Sequence, residues 1–242
     1  MKPQVLGVIP ARLGSRRFPD KVLYPYRGKP LLFYIWDSVR HSRQIERLVI
    51  ATDNSDIRKA AESFGAEVVM TAGRHRTGSD RVAEVAGKIG GQLIVNIQGD
   101  ALGMNAKVLD RIIGSMKAAP RMQFATLAYR IRSEKELRNP DVVKVVADRQ
   151  SRAVWFSRSP LPYLQNGKAG AKASGFRFLG HIGVYLFRRR ALEVFSSWPR
   201  GRFEKAESLE QLRILENGKL IHLFETRMSQ IAINSPDDLK KM

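Results

Sequence analysis

Four basic side chains, Arg12, Arg16, Arg17 and Lys21, surround a glycine and a serine in the segment Ile9-Pro10-Ala11-Arg12-Leu13-Gly14-Ser15-Arg16-Arg17-Phe18-Pro19-Asp20-Lys21. Guanidinium and ammonium groups at that density hold anionic oxygens, Gly14 lets the backbone approach a ligand closely, and loop amides add donors. A triphosphate suits such a loop. It is neither a Walker loop nor a dinucleotide fingerprint, because both glycine-spaced patterns are absent. An ordinary basic loop on a basic protein has the same composition. Two features favour the ligand reading. The basic residues gather round Gly14 and Ser15 instead of following a helical face. The segment also directly follows an apolar run, 5–9, that reads as a buried strand, and open α/β sheets bind ligands at the carboxyl ends of their strands.

A second constellation is Val95-Asn96-Ile97-Gln98-Gly99-Asp100, an apolar strand ending in Gln-Gly-Asp. A carboxylate at the end of a parallel strand can hold a hard divalent cation, or it can cap a turn. Beside a basic phosphate loop, a Mg²⁺–triphosphate site is the better reading, with Asp100 as the metal ligand.

The elements that position these groups alternate. Residues 48–51, 67–70 and 93–97 are short and β-rich, and 31–40, 56–64 and 80–88 have helical periodicity between them. Such alternation predicts a mostly parallel sheet with helices on both faces. After Pro120 the rhythm changes. Strands are expected at 124–131, 142–146, 153–157 and 182–187, a polar glycine-containing loop at 165–175, a helix at 207–215 and a strand at 220–224. The fold class is therefore α/β with a β-rich insertion in the second half.

At 242 residues and 43% hydrophobic content the chain can bury one large core. The absence of cysteine excludes disulfides and thiolate metal sites. No apolar run reaches transmembrane length and the first residues carry no signal-peptide pattern, so a soluble, cytoplasmic protein is expected. The net charge of +19 is spread from Arg12 to Lys241, with a short cluster at Arg188-Arg189-Arg190. Nucleic-acid modules concentrate their charge, so this distribution reads as a solvated basic surface and argues against a nucleic-acid partner.

Ile9-Pro10-Ala11-Arg12, the Arg17–Lys21 spacing, Ala51-Thr52-Asp53, Met70-Thr71, Gly78-Ser79-Asp80-Arg81, the strand ending at Asp100, Val143-Lys144-Val145-Val146, Phe156-Ser157-Arg158, His181-Ile182-Gly183-Val184-Tyr185 and Leu209-Glu210-Gln211-Leu212-Arg213 follow one another in a familiar order. With them the chain resembles the CMP-Kdo synthetases (3-deoxy-manno-octulosonate cytidylyltransferases) over nearly its whole length. The acylneuraminate cytidylyltransferases share the first loop, and the two late motifs point to the Kdo branch.

The resemblance implies a nucleotide-diphospho-sugar transferase-like fold. It implies one domain over 1–242, with 1–118 mainly binding nucleotide and 119–242 mainly binding sugar and forming a homodimer. It also implies transfer of the CMP group of CTP to an acidic sugar with release of pyrophosphate, a step of lipopolysaccharide synthesis. By the same resemblance Ala11, Arg12, Ser15, Arg17, Lys21, Arg76, Thr77, Gly78, Arg81 and Gln98 bind the nucleotide, and Arg12, Lys21 and Asp100 are catalytic. Arg158, His181, Tyr185, Glu210 and Gln211 cradle the sugar acid, and Asp100 with Asn234 binds Mg²⁺.

The residues alone also allow His181 as a satisfied core histidine, Tyr185 as packing, and Glu210 with Arg213 as an ordinary surface pair. Three positions depart from the family pattern. Ala101-Leu102 stands for Glu-Pro, Arg76 for glutamine, and Asn234, in Ile233-Asn234-Ser235-Pro236, for the second metal carboxylate. An amide offers an oxygen without charge, so weaker metal binding is expected. A nucleotidyltransferase for a different acidic sugar, or a nucleotide-binding homologue with reduced turnover, stays open.

Overall fold

Alternate residues of the first strand, β1 (Val5–Pro10), belong to two different cores: Val5 and Ile9 pack to one side, Leu6 and Val8 to the other. A strand buried on both faces needs helices on both sides. The computed structural model describes residues 2–14, 18–99, 102–165, 175–228 and 238–239. Within them β1 is followed by the small hairpin β2 (Pro25–Tyr26) and β3 (Lys29–Pro30), then α1 (Leu31–Val39), β4 (Arg47–Thr52), α2 (Ser55–Ser63), β5 (Glu67–Met70), α3 (Gly78–Ile89), β6 (Leu93–Ile97) and α4 (Ala106–Ala118). The second half adds β7 (Phe124–Arg130), α5 (Glu134–Arg138), β8 (Lys144–Ala147), β9 (Ala153–Ser157), β10 (Leu179–Arg188), α6 (Arg189–Ser197), α7 (Arg202–Glu207), α8 (Leu212–Glu216) and β11 (Ile221–Thr226).

The main sheet runs β11-β7-β10-β6-β1-β4-β5, with β8 and β9 attached through β10. β1 is parallel to β4 and β6, β4 to β5, and β7 to β11, while β10 lies antiparallel to β6 and β7. The expected mostly parallel sheet with a β-rich second half is therefore present. One core holds α1, α2 and α4 through Leu31, Ile35, Ile57, Leu109, Ile112 and Met116. The opposite core holds α3, α6 and α8 through Val82, Val85, Leu192, Phe195 and Leu212. Among the described residues no helix is long and apolar enough to cross a membrane.

The structure departs from the sequence expectations in three places. Of the helix expected over 207–215 only 212–215, in α8, and Glu207 are helical; Glu207 is the last residue of α7, which ends at Ser208 in a left-handed conformation (φ 53°). Glu210 and Gln211 therefore sit in a turn, not on a helix face. Helices α4, α5 and α6 and the body of α7 were not expected. Yet α4 has an Asn105 side chain capping Lys107 N and buried residues at Leu109, Ile112, Ile113 and Met116, the helical spacing. The Arg188-Arg189-Arg190 cluster opens α6. Arg188 donates to the carbonyls of Met116 and Ala119, closing the end of α4, and Arg189 pairs with Glu193, so neither is spare surface charge.

Arg213 is not a surface partner of Glu210. Its guanidinium makes two 2.7 Å bonds to Glu204, both side chains about fully buried, and lies 4.4 Å above the Phe195 ring. Replacing it with Met leaves the buried Glu204 carboxylate only the partly exposed Arg200 at 3.1 Å, so Arg213→Met is expected to cost about 3 kcal/mol in urea unfolding, the low end for a broken buried pair, while Arg213→Met with Glu204→Leu recovers most of that loss.

Candidate active site

The site lies where the carboxyl ends of β1, β4, β5 and β6 meet the insertion. Ala11 N extends the β1 ladder by bonding to Ala51 O. The chain then leaves through exposed Arg12 and through Gly14, whose φ of 89° favours glycine. It returns at buried Phe18, which packs edge-on against Tyr24 with centroids 4.9 Å apart. Lys21 opens a single 3-10 turn. Arg12 and Lys21 thus flank the loop expected to hold phosphates; Ser15 and Arg17 fall outside the described residues, as do Asp100, Ala101 and Asn234.

Helix α3 begins at the cleft. Thr77 caps it, accepting from Asp80 N, and Asp80 reciprocates toward Thr77 N. Gly78 follows because a Cβ there would stand 2.7 Å from both amide heavy atoms of Gln98. Four side chains then close a ring. Asn96 Nδ2 donates to Ser79 Oγ (2.9 Å) and Ser79 Oγ to Glu210 (2.8 Å). Gln98 Nε2 donates to Glu210 (3.1 Å) and to Asn96 Oδ1 (3.2 Å). Ser79 N also donates to Glu210. Burial pushes the Glu210 carboxyl above its ordinary range, and neighbouring Asp80 adds to this against the hydrogen bonds that favour the anion. The ring fastens the end of β6 and the start of α3 to the turn between α7 and α8.

Arg81 is buried and spends its guanidinium on Asp53 at 3.1 Å and on Thr71. It ties the ends of β4 and β5 together beneath the segment that carries exposed Arg76. Glu84 holds that segment from the other side, accepting from Ala72 N at 3.1 Å, Lys88 Nζ at 2.6 Å and His75 Nε2.

On the insertion side, Tyr185 donates to Gln211 Oε1 (3.0 Å), and the buried Gln211 Nε2 meets no acceptor among the described residues. His181 is buried against Phe156 and Tyr185, with ring centroids 5.1 and 5.3 Å away, and its Nε2 is 2.8 Å from Thr126 Oγ1. Burial drives its pKa down to about 3, so the imidazole is neutral. Arg158 is anchored by bonds to the carbonyls of Glu207 (2.8 Å) and Pro140 (3.0 Å). The Glu207 carboxylate takes Arg158 N and Ser157 Oγ. Lys144 lies fully buried beneath them, donating to Asn139 O and Val142 O, and burial followed by repulsion from Arg158 lowers it to about 8.

Of the residues expected in the site, Thr77, Gly78, Gln98 and Glu210 meet directly, and Tyr185 and Gln211 pair. The supporting residues Ser79, Asn96, Thr126 and Glu207 were not anticipated. Asn96 had a signal: a polar residue inside an apolar strand is a buried polar group in need of partners.

An open α/β sheet with a basic, glycine-containing loop after its first strand and a capped helix opening at the site has the fold of the nucleotide-diphospho-sugar transferase-like nucleotidyltransferases. The profile of the cytidylyltransferase family matches residues 6–221, and the chain belongs to that family. It is 40% identical over 243 residues to a protein of Geobacter sulfurreducens named 3-deoxy-manno-octulosonate cytidylyltransferase, covering 98% of this chain and 97% of that one. A protein of the same name from Pelobacter propionicus is 39% identical over 98% of this chain and 95% of its own length. A solved structure of CMP:2-keto-3-deoxy-manno-octonic acid synthetase complexed with CTP superposes with a TM-score of 0.89 at 34% identity, covering 98% of this chain and 96% of that chain. A Leptospira borgpetersenii cytidylyltransferase, at 17% identity and TM-score 0.63, shares the fold over 98% of this chain and 83% of its own.

Glu84 yields a pH test of the segment that carries Arg76. Burial alone would raise its carboxyl, but the bonds from Lys88, His75 and Ala72 outweigh it and bring the pKa down to about 2 from the usual 4.5. A carboxylate lowered in the folded state stabilises it above the unfolded pKa, and that stability is lost as pH falls toward the folded value. Glu84→Gln removes this contribution, so its melting temperature should fall less than the wild type's between about pH 5 and about pH 3.

Proposed function

We propose that this protein transfers the CMP group of CTP to the anomeric hydroxyl of a 3-deoxy-octulosonate, releasing pyrophosphate. The hydroxyl oxygen bonds to the α-phosphorus, the bond from that phosphorus to the bridging oxygen breaks, and the electron pair leaves on pyrophosphate while the hydroxyl proton passes to solvent. No covalent enzyme intermediate is required, so positioning and charge neutralisation supply the rate. The observation that carries this reading is the Glu210 ring, which joins the nucleotide half to the sugar half in a chain whose relatives bear the 3-deoxy-manno-octulosonate name.

In this reading Arg12 and Lys21, with Ala11, Ser15 and Arg17, hold the triphosphate and stabilise the leaving pyrophosphate. Arg76, Thr77, Gly78 and Gln98 border the cytidine, with Arg81 holding their support in place. Arg158, His181, Tyr185, Glu210 and Gln211 receive the sugar acid, Arg158 being suited to its carboxylate. The donor set assigned to the metal, one carboxylate and one amide oxygen at Asp100 and Asn234, is hard oxygen chemistry and fits Mg²⁺. When bound, the cation supplies charge neutralisation at the phosphates. A homodimer and a cytoplasmic location belong to the same reading.

Calorimetric titration with the four nucleoside triphosphates should give tightest binding for CTP; a purine nucleotide binding equally well would overturn the proposal. Lys21→Ala should weaken CTP binding by about 1.5–3 kcal/mol, the worth of a hydrogen bond to a charged group. Arg43→Ala, on an exposed residue whose backbone N donates to Asp110, should change it little.

The metal assignment has its own test. Asn234→Asp should lower the Mg²⁺ concentration needed for half-maximal pyrophosphate release, and Asp100→Asn should abolish release in either background. An unchanged metal dependence in Asn234→Asp with an active Asp100→Asn variant would remove both residues from the metal site.

A further inference from the structure

The antiparallel pairing of β7 with β10 is interrupted. Ile182 stands opposite Leu127, but the next pair is Tyr185 with Thr126, so Gly183 and Val184 are extra residues on β10. An insertion of two preserves the side-chain alternation that an insertion of one would reverse. His181 and Tyr185 therefore remain on the same face as Thr126, with Phe156 beside them. The bulge also brings two consecutive features to the sheet's interior. Gly183 O accepts from Gln98 N at 3.1 Å. Val184 O and Ile182 O lie 2.6 and 3.4 Å from Thr126 Oγ1, which is fully buried.

A threonine hydroxyl has one proton, and a carbonyl oxygen has none to give. With two carbonyls on one side, the Thr126 proton goes to the bulge, at Val184 O. The remaining neighbour, His181 Nε2 at 2.8 Å, must then be the donor. A neutral imidazole protonated at Nε2 keeps a lone pair at Nδ1. Beside it in the cluster, through Tyr185, stands the buried Gln211 Nε2, a donor with no acceptor among the described residues. An acceptor on His181 and a donor on Gln211, both side chains in contact with Tyr185, match a sugar hydroxyl, which both donates and accepts.

We infer that Thr126 is a positioning residue: fixed by the β10 bulge, it locks His181 as the Nε2–H tautomer and so presents Nδ1 as an acceptor for a hydroxyl of the sugar acid. The sugar contact rests on the function proposed above; the tautomer lock rests on the Thr126 geometry alone. A shape-preserving Thr126→Val leaves packing intact and removes the acceptor for Nε2–H. Thr126→Ser keeps it.

The test combines histidine nitrogen NMR on the isotope-labelled full chain with steady-state pyrophosphate release, using His181→Gln to assign the resonance. The wild type and Thr126→Ser should show His181 as the Nε2–H tautomer, and Thr126→Val should lose that signature. Thr126→Val should raise the KM for the sugar acid about tenfold, with the KM for CTP unchanged and Thr126→Ser near wild type. An Nδ1–H tautomer in the wild type, or a signature unmoved by Thr126→Val, overturns the lock. A lost signature with an unchanged sugar KM overturns the hydroxyl contact. No pyrophosphate release by the wild type from any sugar acid, with the Nε2–H signature present, overturns the proposed function while the lock stands.

Discussion

The attachment of Glu210 to the start of α3 is the constraint around which the cleft is built. A carboxylate set among Ser79, Gln98 and, through them, Asn96 needs every one of those donors, because burial penalises its charge. Three features elsewhere exist to satisfy it. Gly78 leaves room for the Gln98 amide that a side chain would strike. Ser208 ends α7 early, so that Glu210 falls in a turn and can reach across instead of lying along a helix. Arg213, just beyond, is pinned to Glu204 and reaches Asp80 at 3.4 Å, which holds the turn from its other end. The ring is also an electrostatic arrangement: the carboxylate lies at the amino terminus of α3, where backbone N–H groups favour negative charge.

The second organising device is the doubled residue on β10. A strand that runs antiparallel between two others would normally offer its neighbours an unbroken ladder. Here the ladder with β6 continues from Val184 while the ladder with β7 breaks, so β10 serves the nucleotide half in one register and the insertion in another. At the break the Val184 carbonyl takes the Thr126 hydroxyl proton, while on the unbroken side Gly183 O accepts from Gln98 N and extends the ladder with β6. The same bulge thus reaches both the Glu210 ring and the aromatic pocket of His181.

Among the elements that were legible in the sequence are short, largely apolar runs. β5, β6 and β9 fall at 67–70, 93–97 and 153–157 as expected, because each is a short apolar run bounded by polar residues. The first loop was legible for a different reason: its charge density has no use in a core. What escaped was set by tertiary contact. The break at Ser208 is a backbone conformation that serine gives no sign of adopting, and Leu209 to Arg213 still reads as helical. Thr126 is one more β-branched residue in a strand, and nothing in its neighbours along the chain shows that a bulge will bring two carbonyls to it. Arg213 was expected in a surface pair because its true partner, Glu204, lies nine residues back in the chain; Arg158 was expected at the sugar carboxylate, and its anchoring to the Glu207 carbonyl, 49 residues on, gave no local sign.

Those arginines also bear on the excess of positive charge. Arg81, Arg158, Arg213 and Lys144 spend their donors inside the fold, Arg81 and Arg213 on carboxylates, Arg158 and Lys144 on carbonyls. A cation bonded to carbonyls is satisfied without being neutralised, so its field persists in the cleft it supports. Lys144 and Arg158 show the consequence, since Arg158 helps to lower the Lys144 pKa even with Glu207 nearby. Arg12, just after β1, and Arg76, just before α3, are exposed cations at the strand ends. A reaction between two anions, a triphosphate and a sugar acid, faces mutual repulsion before any bond changes. In the proposed reading Lys144 and Arg158, held by neutral carbonyl oxygens, would oppose that repulsion with charges that need not reorganise when the substrates arrive.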